Sequence, residues 1–415
     1  MAGLQAMIGE SVQSMVTPGT CVDTFYAGVS NTEKQCFPSR VQNKFYIDFN
    51  SKSPGSTSVV TFNPNQGQTD IVVELQFPDL SGVAGLVVNR GWGYKALKNI
   101  SVRYGTAPQY FIGSEQHLLS VLEQCDNAVK RDAVYGLGGP AMASPADWGS
   151  ITNRTAYVYI KLFHNTPSAK KHLPYASDLT TQPLQLTFEL EDWAKLIVDG
   201  NTIPSNLQQF TVARVNFRQV ELNNSNDLLA HRENMSEKMY IYPLQRFEQR
   251  QIPIPLSGSG EVQSVQLTGF RSGEVSHIVL MAVDNGDLAS GNWSNAQPLA
   301  NVVLTINGDV RYDARDQSSI LWDLIRAPMS ASWANTYWDG ANQVPSTGYY
   351  LIIPLGQESS TLANEYELTH GYSVMNSVLN LQCQLPASAN GYTLYATYWY
   401  RACLGVTNGN VDYIF

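Results

Sequence analysis

The sequence predicts an all-β chain made of two tandem copies of one β-unit, and three observations carry that reading. Short runs rich in β-branched and aromatic residues recur along the chain. Clusters of Gly, Pro, Asn and Ser, such as Asn63-Pro64-Asn65-Gln66-Gly67 and Ser257-Gly258-Ser259-Gly260, separate them with turn chemistry. A strand that ends in Gly and leads to a short helix occurs twice. Its glycines, Gly105 and Gly308, stand 203 positions apart in a chain of 415 residues.

Taken in order, the chain opens with Leu4, Ile8, Val12 and Met15, a narrow apolar stripe at helical spacing ahead of Pro18-Gly19. A stripe this short does not hold a helix alone in water, so it is expected to order on a partner surface as an assembly arm. Period-two runs then predict strands over 69–77, 156–163, 184–190 and 210–217, and again over 262–267, 277–283 and 392–400. Two helices compete with them. One covers 114–123, with Ser114 as N-cap and Leu118, Val121 and Leu122 on one face. The other covers 318–326 and is stopped by Pro328. The strand at Ile100–Gly105 runs to the first helix and the strand at Leu304–Gly308 to the second, which is the repeated pattern. The polar, charge-mixed stretch from Asn223 to Glu237 separates the copies. The expected division is an N-terminal arm over 1–42, a first β-unit over 43–222, a linker over 223–238 and a second β-unit over 239–415.

Composition narrows the function. Apolar residues make up 43% of the chain, which excludes disorder, and no apolar run nears the ~20 residues of a membrane helix. Charged residues are only 15%, against about 25% in an average soluble protein. Lys and Arg total 26 against 35 Asp and Glu, a net charge of −9, which argues against a nucleic-acid binder that works by neutralising phosphates. Asn, Gln, Ser and Thr replace the missing charges. That suits faces covered by other protein, although a secreted polar lectin would look the same. The five cysteines, Cys21, Cys36, Cys125, Cys383 and Cys403, form no CxxC pair and are expected to be reduced thiols. The first residues lack the basic region and long apolar core of a signal peptide, so the Asn-x-Ser/Thr triplets at Asn99, Asn153, Asn223, Asn234 and Asn292 are expected to be idle.

The chemistry is sparse. Six scattered histidines show no metal-ligand spacing, and the chain has no HExxH, Walker loop or Gly-x-Ser-x-Gly elbow. Gly136-Leu137-Gly138-Gly139-Pro140 lacks the residues of a phosphate cradle and is expected to be a loop crossing. Asp284-Asn285-Gly286-Asp287 misses the spacing of a calcium loop and is expected to be a bare turn. Asp313 and Asp316 are expected to cap the helix at 318 rather than to act as paired carboxylates. No catalytic, cofactor or metal constellation is expected.

Certain segments carry a resemblance. They are Gly91-Trp92-Gly93-Tyr94-Lys95-Ala96-Leu97-Lys98-Asn99-Ile100-Ser101-Val102-Arg103-Tyr104-Gly105 with Gly113-Ser114-Glu115-Gln116-His117-Leu118, and the strand at 155–165 with Leu173-Pro174 downstream. Leu304-Thr305-Ile306-Asn307-Gly308-Asp309-Val310-Arg311-Tyr312 and Tyr395-Ala396-Thr397-Tyr398-Trp399-Tyr400 through Leu404-Gly405 follow in order. Together they resemble the double-jelly-roll major capsid proteins of large DNA viruses, virophages and Polinton-like viruses, and the length fits a compact capsid protein of the last two kinds. The resemblance implies two tandem eight-stranded jelly rolls and no enzyme activity. It implies homotrimers forming pseudo-hexagonal capsomers that tile an icosahedral shell around double-stranded DNA. The partners it implies are neighbouring capsomers, penton and minor capsid proteins and an internal membrane, with no sequence-specific nucleic-acid binding. The place is the virion, with assembly inside the host cell.

Within that picture Leu4, Ile8, Val12 and Met15 are expected to serve assembly. Trp333, Tyr337 and Trp338, in the long loop 329–340, are expected to anchor one subunit on the next. The rival class is a carbohydrate-binding or glycan-cleaving β-sandwich, supported by the aromatic loops around Trp293, Trp333 and Trp338.

Overall fold

The computed structural model describes residues 24–26, 36–62, 67–105, 110–114, 117, 128–160, 184–197, 203–222, 240–255, 262–268, 274–289, 296–297, 299–314, 351–355, 372–374, 377–407 and 410–414. The first half holds strands β1 (Thr24–Tyr26), β2 (Cys36–Asp48), β3 (Thr57–Thr61), β4 (Gly67–Gln76), β5 (Leu97–Arg103), β6 (Tyr110–Gly113), β7 (Thr155–Tyr159), β8 (Gln185–Leu190) and β9 (Val212–Leu222). They form two antiparallel sheets, in the orders β1-β2-β9-β4-β7 and β3-β8-β5-β6. The second half holds β10 (Tyr240–Ile254), β11 (Val262–Leu267), β12 (Glu274–Asp284), β13 (Ala296–Gln297), β14 (Ala300–Ile306) and β15 (Asp309–Ala314). It continues with β16 (Leu351–Pro354), β17 (Tyr372–Ser373), β18 (Leu379–Gln384), β19 (Tyr392–Thr407) and β20 (Asn410–Ile414). One sheet runs β10-β19-β12, with β17, β16 and β13 pairing successive stretches of β12 and β20 on β19, and the other runs β11-β18-β14-β15.

The two halves share one topology. When β10, β11, β12, β14, β15, β16, β18 and β19 are taken as counterparts of β2 through β9, β2-β9-β4-β7 becomes β10-β19-β12-β16. Likewise β3-β8-β5-β6 becomes β11-β18-β14-β15. Each half is an eight-stranded jelly roll of two packed sheets, so the fold is a double jelly roll. Among the described residues every strand pairing stays within 24–222 or within 240–414. Strand β2 begins at Cys36 and so runs across residue 42.

Side-chain alternation explains the layers. In β8, Leu186, Phe188 and Leu190 are buried while Gln185, Thr187 and Glu189 are partly exposed. Phe188 stacks on Phe49 with ring centroids 5.1 Å apart, and Phe62 meets Phe217 edge-on at 5.1 Å. Strands β12 and β19 behave differently. Every residue from His277 to Val283, and from Leu394 to Trp399, is buried. Both faces of these central strands are therefore covered, which is why they read as near-continuous apolar runs rather than alternating ones.

Among the described residues, short helices fill the connections: α1 (Trp92–Ala96), α2 (Ala128–Leu137), α3 (Pro145–Gly149), α4 (Trp193–Leu196) and α5 (Asn285–Ala289). Three of them, α1, α3 and α4, supply rings around Phe77, the residue after β4. Its ring lies 4.2 Å from Trp92, 4.9 Å from Trp193, 5.3 Å from Phe210 and 5.4 Å from Trp148. The Arg154 guanidinium donates to the Phe77 carbonyl at 2.9 Å, and Trp148 Nε1 donates to the Leu86 carbonyl at 3.0 Å. The turn after α2 packs against the start of α1. The Gly91 and Gly93 amides donate to the Gly139 and Gly138 carbonyls, each at 2.7 Å. A Cβ at Gly138 would sit 2.3 Å from the Tyr94 ring and one at Gly139 2.3 Å from Trp92, so neither position accepts a side chain.

Several expectations change. The run at 277–283 widens to β12 and that at 392–400 to β19, the run at 210–217 shifts to β9, and 262–267 is β11 to the residue. The run at 156–163 is a strand over Thr155–Tyr159, and residues 161–163 lie outside the described residues. Gly105 and Gly308 each lead first to another strand, β6 or β15, so the repeated unit is a hairpin. Ser114 and His117 are helical; the remainder of 114–123 and all of 318–326 lie outside the described residues. Asp313 is a β15 residue paired with Val303, not a helix cap, because the hairpin extends to Ala314. Gly136 belongs to the last turn of α2, and only the residues after Leu137 make the crossing. The segment Asn285–Ala289 is a helical turn, α5, rather than a bare turn.

Candidate assembly surface

All seven residues expected to serve assembly, Leu4, Ile8, Val12, Met15, Trp333, Tyr337 and Trp338, lie outside the described residues, as does Trp293. What the structure brings forward is the outward face of the first sheet. Strand register places Asp48, Arg214, Glu74 and Tyr157 in one row across β2, β9, β4 and β7. Tyr46, Asn216, Val72 and Tyr159 form the next row. Val73, Val158 and Val215, their neighbours along β4, β7 and β9, point the other way and are buried.

The face is organised around one carboxylate. Arg214 Nε donates to Glu74 Oε2 at 2.8 Å and its terminal NH2 donates to Oε1 at 3.0 Å, a bidentate pair. Asn216 Nδ2 donates to Oε2 at 2.9 Å. The guanidinium also lies 5.0 Å from the centre of the Tyr46 ring. The hydrogen bond to Glu74 raises the Arg214 pKa above its ordinary value, against the opposing effect of desolvation. Glu74 is 8% exposed although it is on the outward face, whereas Tyr46 is 60% and Tyr157 43% exposed. A braced Arg flanked by tyrosines is a composition typical of contact surfaces. Sequence reading missed this face. The available signal was the alternation in Val212-Ala213-Arg214-Val215-Asn216-Phe217, which sets Arg214 and Asn216 on one side.

The counterpart sheet of the second half offers no such open face at its centre, since β12 and β19 are buried on both sides. At the end of β12, Asp284 ties two loops together. Ser388 Oγ donates to its Oδ2, while the Gly286 amide at 2.7 Å and Asn390 Nδ2 at 3.2 Å donate to its Oδ1. These bonds, that of Ser388 above all, hold the carboxyl below the usual aspartate range. Asn285 completes the clasp, with Nδ2 donating to the Asn390 carbonyl at 3.0 Å and Oδ1 accepting from Thr393 Oγ1 at 2.8 Å. Cys383 is buried in the second core, and burial pushes its thiol up to about 12. Among the described residues no group of three His, Cys, Asp or Glu side chains could hold a metal ion, and no helix is long and apolar enough to cross a membrane.

No protein-family model and no curated protein matches the sequence. Solved structures match the fold. The PBCV-1 protein VP54, fitted into a reconstruction of the virophage Sputnik, is similar with a TM-score of 0.64 and 11% identity, over 93% of this chain and 99% of that one. The Faustovirus major capsid protein follows at 0.57 and 9% identity, over 97% and 98%. A chain of the Sputnik virophage particle gives 0.52 and 10% identity, over 90% and 88%. With the same strand order in both halves, the chain has the double-jelly-roll fold of these viral capsid proteins.

Proposed function

We propose that the chain is the major capsid protein of an icosahedral double-stranded DNA virus, acting as a structural subunit rather than an enzyme. The observation that carries the reading is the duplicated eight-strand order, together with a likeness to VP54 that spans nearly the whole of both chains. Three subunits, each bringing two jelly rolls, make a pseudo-hexagonal capsomer, because six similar units around one axis fill a hexagonal outline. The low charge and the aromatic and arginine face of the first sheet support burial between subunits. In this reading the residues ahead of β1 are an arm, 24–222 and 239–415 hold the jelly rolls and 223–238 is the linker. Leu4, Ile8, Val12 and Met15 dock the arm, and Trp333, Tyr337 and Trp338 join neighbouring subunits. Penton and minor capsid proteins and an internal membrane are the further partners, the virion is the location, and assembly takes place inside the host cell.

Light scattering of the purified protein tests the reading. A trimer that survives dilution to micromolar concentration is expected, as obligate interfaces bury on the order of 2,000 Å² or more. Negative-stain images should show particles of hexagonal outline. A monomer at that concentration overturns the capsomer, and a monomer that binds a glycan array replaces it with the carbohydrate-binding reading.

A further inference from the structure

The sequence contains four Asn-Gly pairs, at Asn285, Asn307, Asn390 and Asn408, all in the second half of the chain. Asn-Gly is the pair most prone to spontaneous deamidation, because glycine puts no side chain in the way of its own amide nitrogen. In that reaction the Gly nitrogen attacks the Asn side-chain carbon Cγ. The nitrogen gives up its proton, ammonia leaves, and a five-membered succinimide closes. Water then opens the ring to aspartate or to isoaspartate, which carries one extra backbone atom. Ring closure requires Cγ to swing onto the Gly nitrogen.

The described pairs are held against that swing. Asn307 Oδ1 accepts from the Val378 amide at 2.9 Å and its Nδ2 donates to Ser377 Oγ at 3.2 Å, while its own amide donates to the Val378 carbonyl at 2.9 Å. Asn285 likewise has both carboxamide atoms engaged, on Thr393 and the Asn390 carbonyl, and the amide of Gly286 is occupied by Asp284. Asn390 is held through Nδ2 on Asp284. Asn408-Gly409 lies outside the described residues.

The two clamps differ in their setting. That of Asn285 and Asn390 is a mutual one, built between two loops around a carboxylate. That of Asn307 stands at the tip of the β14–β15 hairpin, where Val378 is exposed and a Cβ at Gly308 would meet nothing within 4 Å. Both turn residues there have positive φ, 54° at Asn307 and 89° at Gly308. They make the tight two-residue turn that fixes the register of β14 on β15.

We propose that Asn307 is a latent deamidation site, and that the Ser377–Val378 clamp keeps it closed in the native protein. The clamp makes the hairpin a chemical clock whose rate is set by local opening at 377–378. Opening it leads to isoaspartate in a two-residue turn, and the extra backbone atom breaks the register of β14 and β15. This inference does not depend on the capsid reading. If that reading holds, the clamp protects a subunit that has to outlast a long period without resynthesis.

The test is peptide mapping by mass spectrometry after incubation at mildly alkaline pH, with the full-length protein native in one tube and unfolded in urea in another. Each hydrogen bond of ordinary net strength shifts an opening equilibrium about fivefold, so the two on the Asn307 carboxamide predict native conversion about thirtyfold slower than unfolded. Ser377→Ala removes one and should speed native conversion about fivefold while lowering the melting temperature by no more than about 2–4 °C, and Ser377→Thr, which keeps the hydroxyl, should restore the slow rate. Asn285 should stay slow in all three proteins. Equal native and unfolded rates at Asn307 in the wild type overturn the proposal, whatever the variants do. So does a folded Ser377→Ala that converts no faster than wild type.

Discussion

Replacing Phe77 by Ala removes the ring on which one end of the first jelly roll closes. Phe77 is fully buried, and the four rings around it come from separate segments: Trp92 on α1, Trp148 on α3, Trp193 on α4 and Phe210 before β9. A buried Phe→Ala change costs about 3–5 kcal/mol, the spread reflecting how far the surroundings collapse into the space. Collapse is restricted here. Trp148 is tied to the Leu86 carbonyl, and Trp92 is pressed against Gly139. Ring pairs also add about 0.5–1.5 kcal/mol each beyond area burial. The upper part of the range, about 4–5 kcal/mol, is therefore expected. In a unit of this size each kcal/mol moves Tm by about 2–4 °C, giving a fall of about 8–20 °C. Scanning calorimetry of wild type, Phe77→Leu and Phe77→Ala measures it. Leu retains most of the volume and should cost under about 2 kcal/mol. An Ala variant that loses less than about 1 kcal/mol, or a Leu variant as damaged as Ala, would refute the argument that the ring is what joins these segments.

Two further outcomes are expected in the second jelly roll. Asp284→Ala leaves the Gly286 amide and the Ser388 hydroxyl without their acceptor and should cost about 1–3 kcal/mol at neutral pH. Since hydrogen bonding depresses the folded-state pKa of Asp284, its contribution is complete above the ordinary value of 3.8 and is lost as pH falls below it. Urea titrations of both proteins should converge in that acid range, and a gap that persists unchanged would count against the carboxylate. Burial of the Cys383 thiol, with its pKa at about 12, should leave it unalkylated in folded protein at mildly alkaline pH and readily alkylated in urea. Fast labelling of the folded chain would contradict the burial.

How much of this was legible in the sequence depends on the distance over which each feature is specified. Strand β11 was readable to the residue because Val262-Gln263-Ser264-Val265-Gln266-Leu267 alternates from Ser264 onward and follows a Gly/Ser turn cluster. Strand β10 was not, because Pro243 and Pro253 read as breakers. The structure accommodates them because β10 is an edge strand paired on one side only, with β19. Helix α2 escaped because Ala128–Leu137 has Gly136 in its last turn and no acidic residue in its first. The assembly face was beyond reach for another reason. Arg214 and Glu74 are 140 residues apart, and no local pattern reveals the register that places them opposite each other. The Asp284 clasp likewise spans 104 residues to Ser388.

The doubly covered strands β12 and β19 bear on how the two copies of the fold can change through time. In the first jelly roll, Gln76, Arg214 and Asn216 alternate with core residues and keep partial access to water, so these positions can exchange one polar residue for another. From Ile278 to Val283 no such position exists, because a polar group introduced on either side meets a dry neighbour and goes without its hydrogen bond. The two halves share one strand plan yet face unequal mutational freedom: the first sheet can vary its outward surface, while the centre of the second is confined to exchanges of one apolar shape for another.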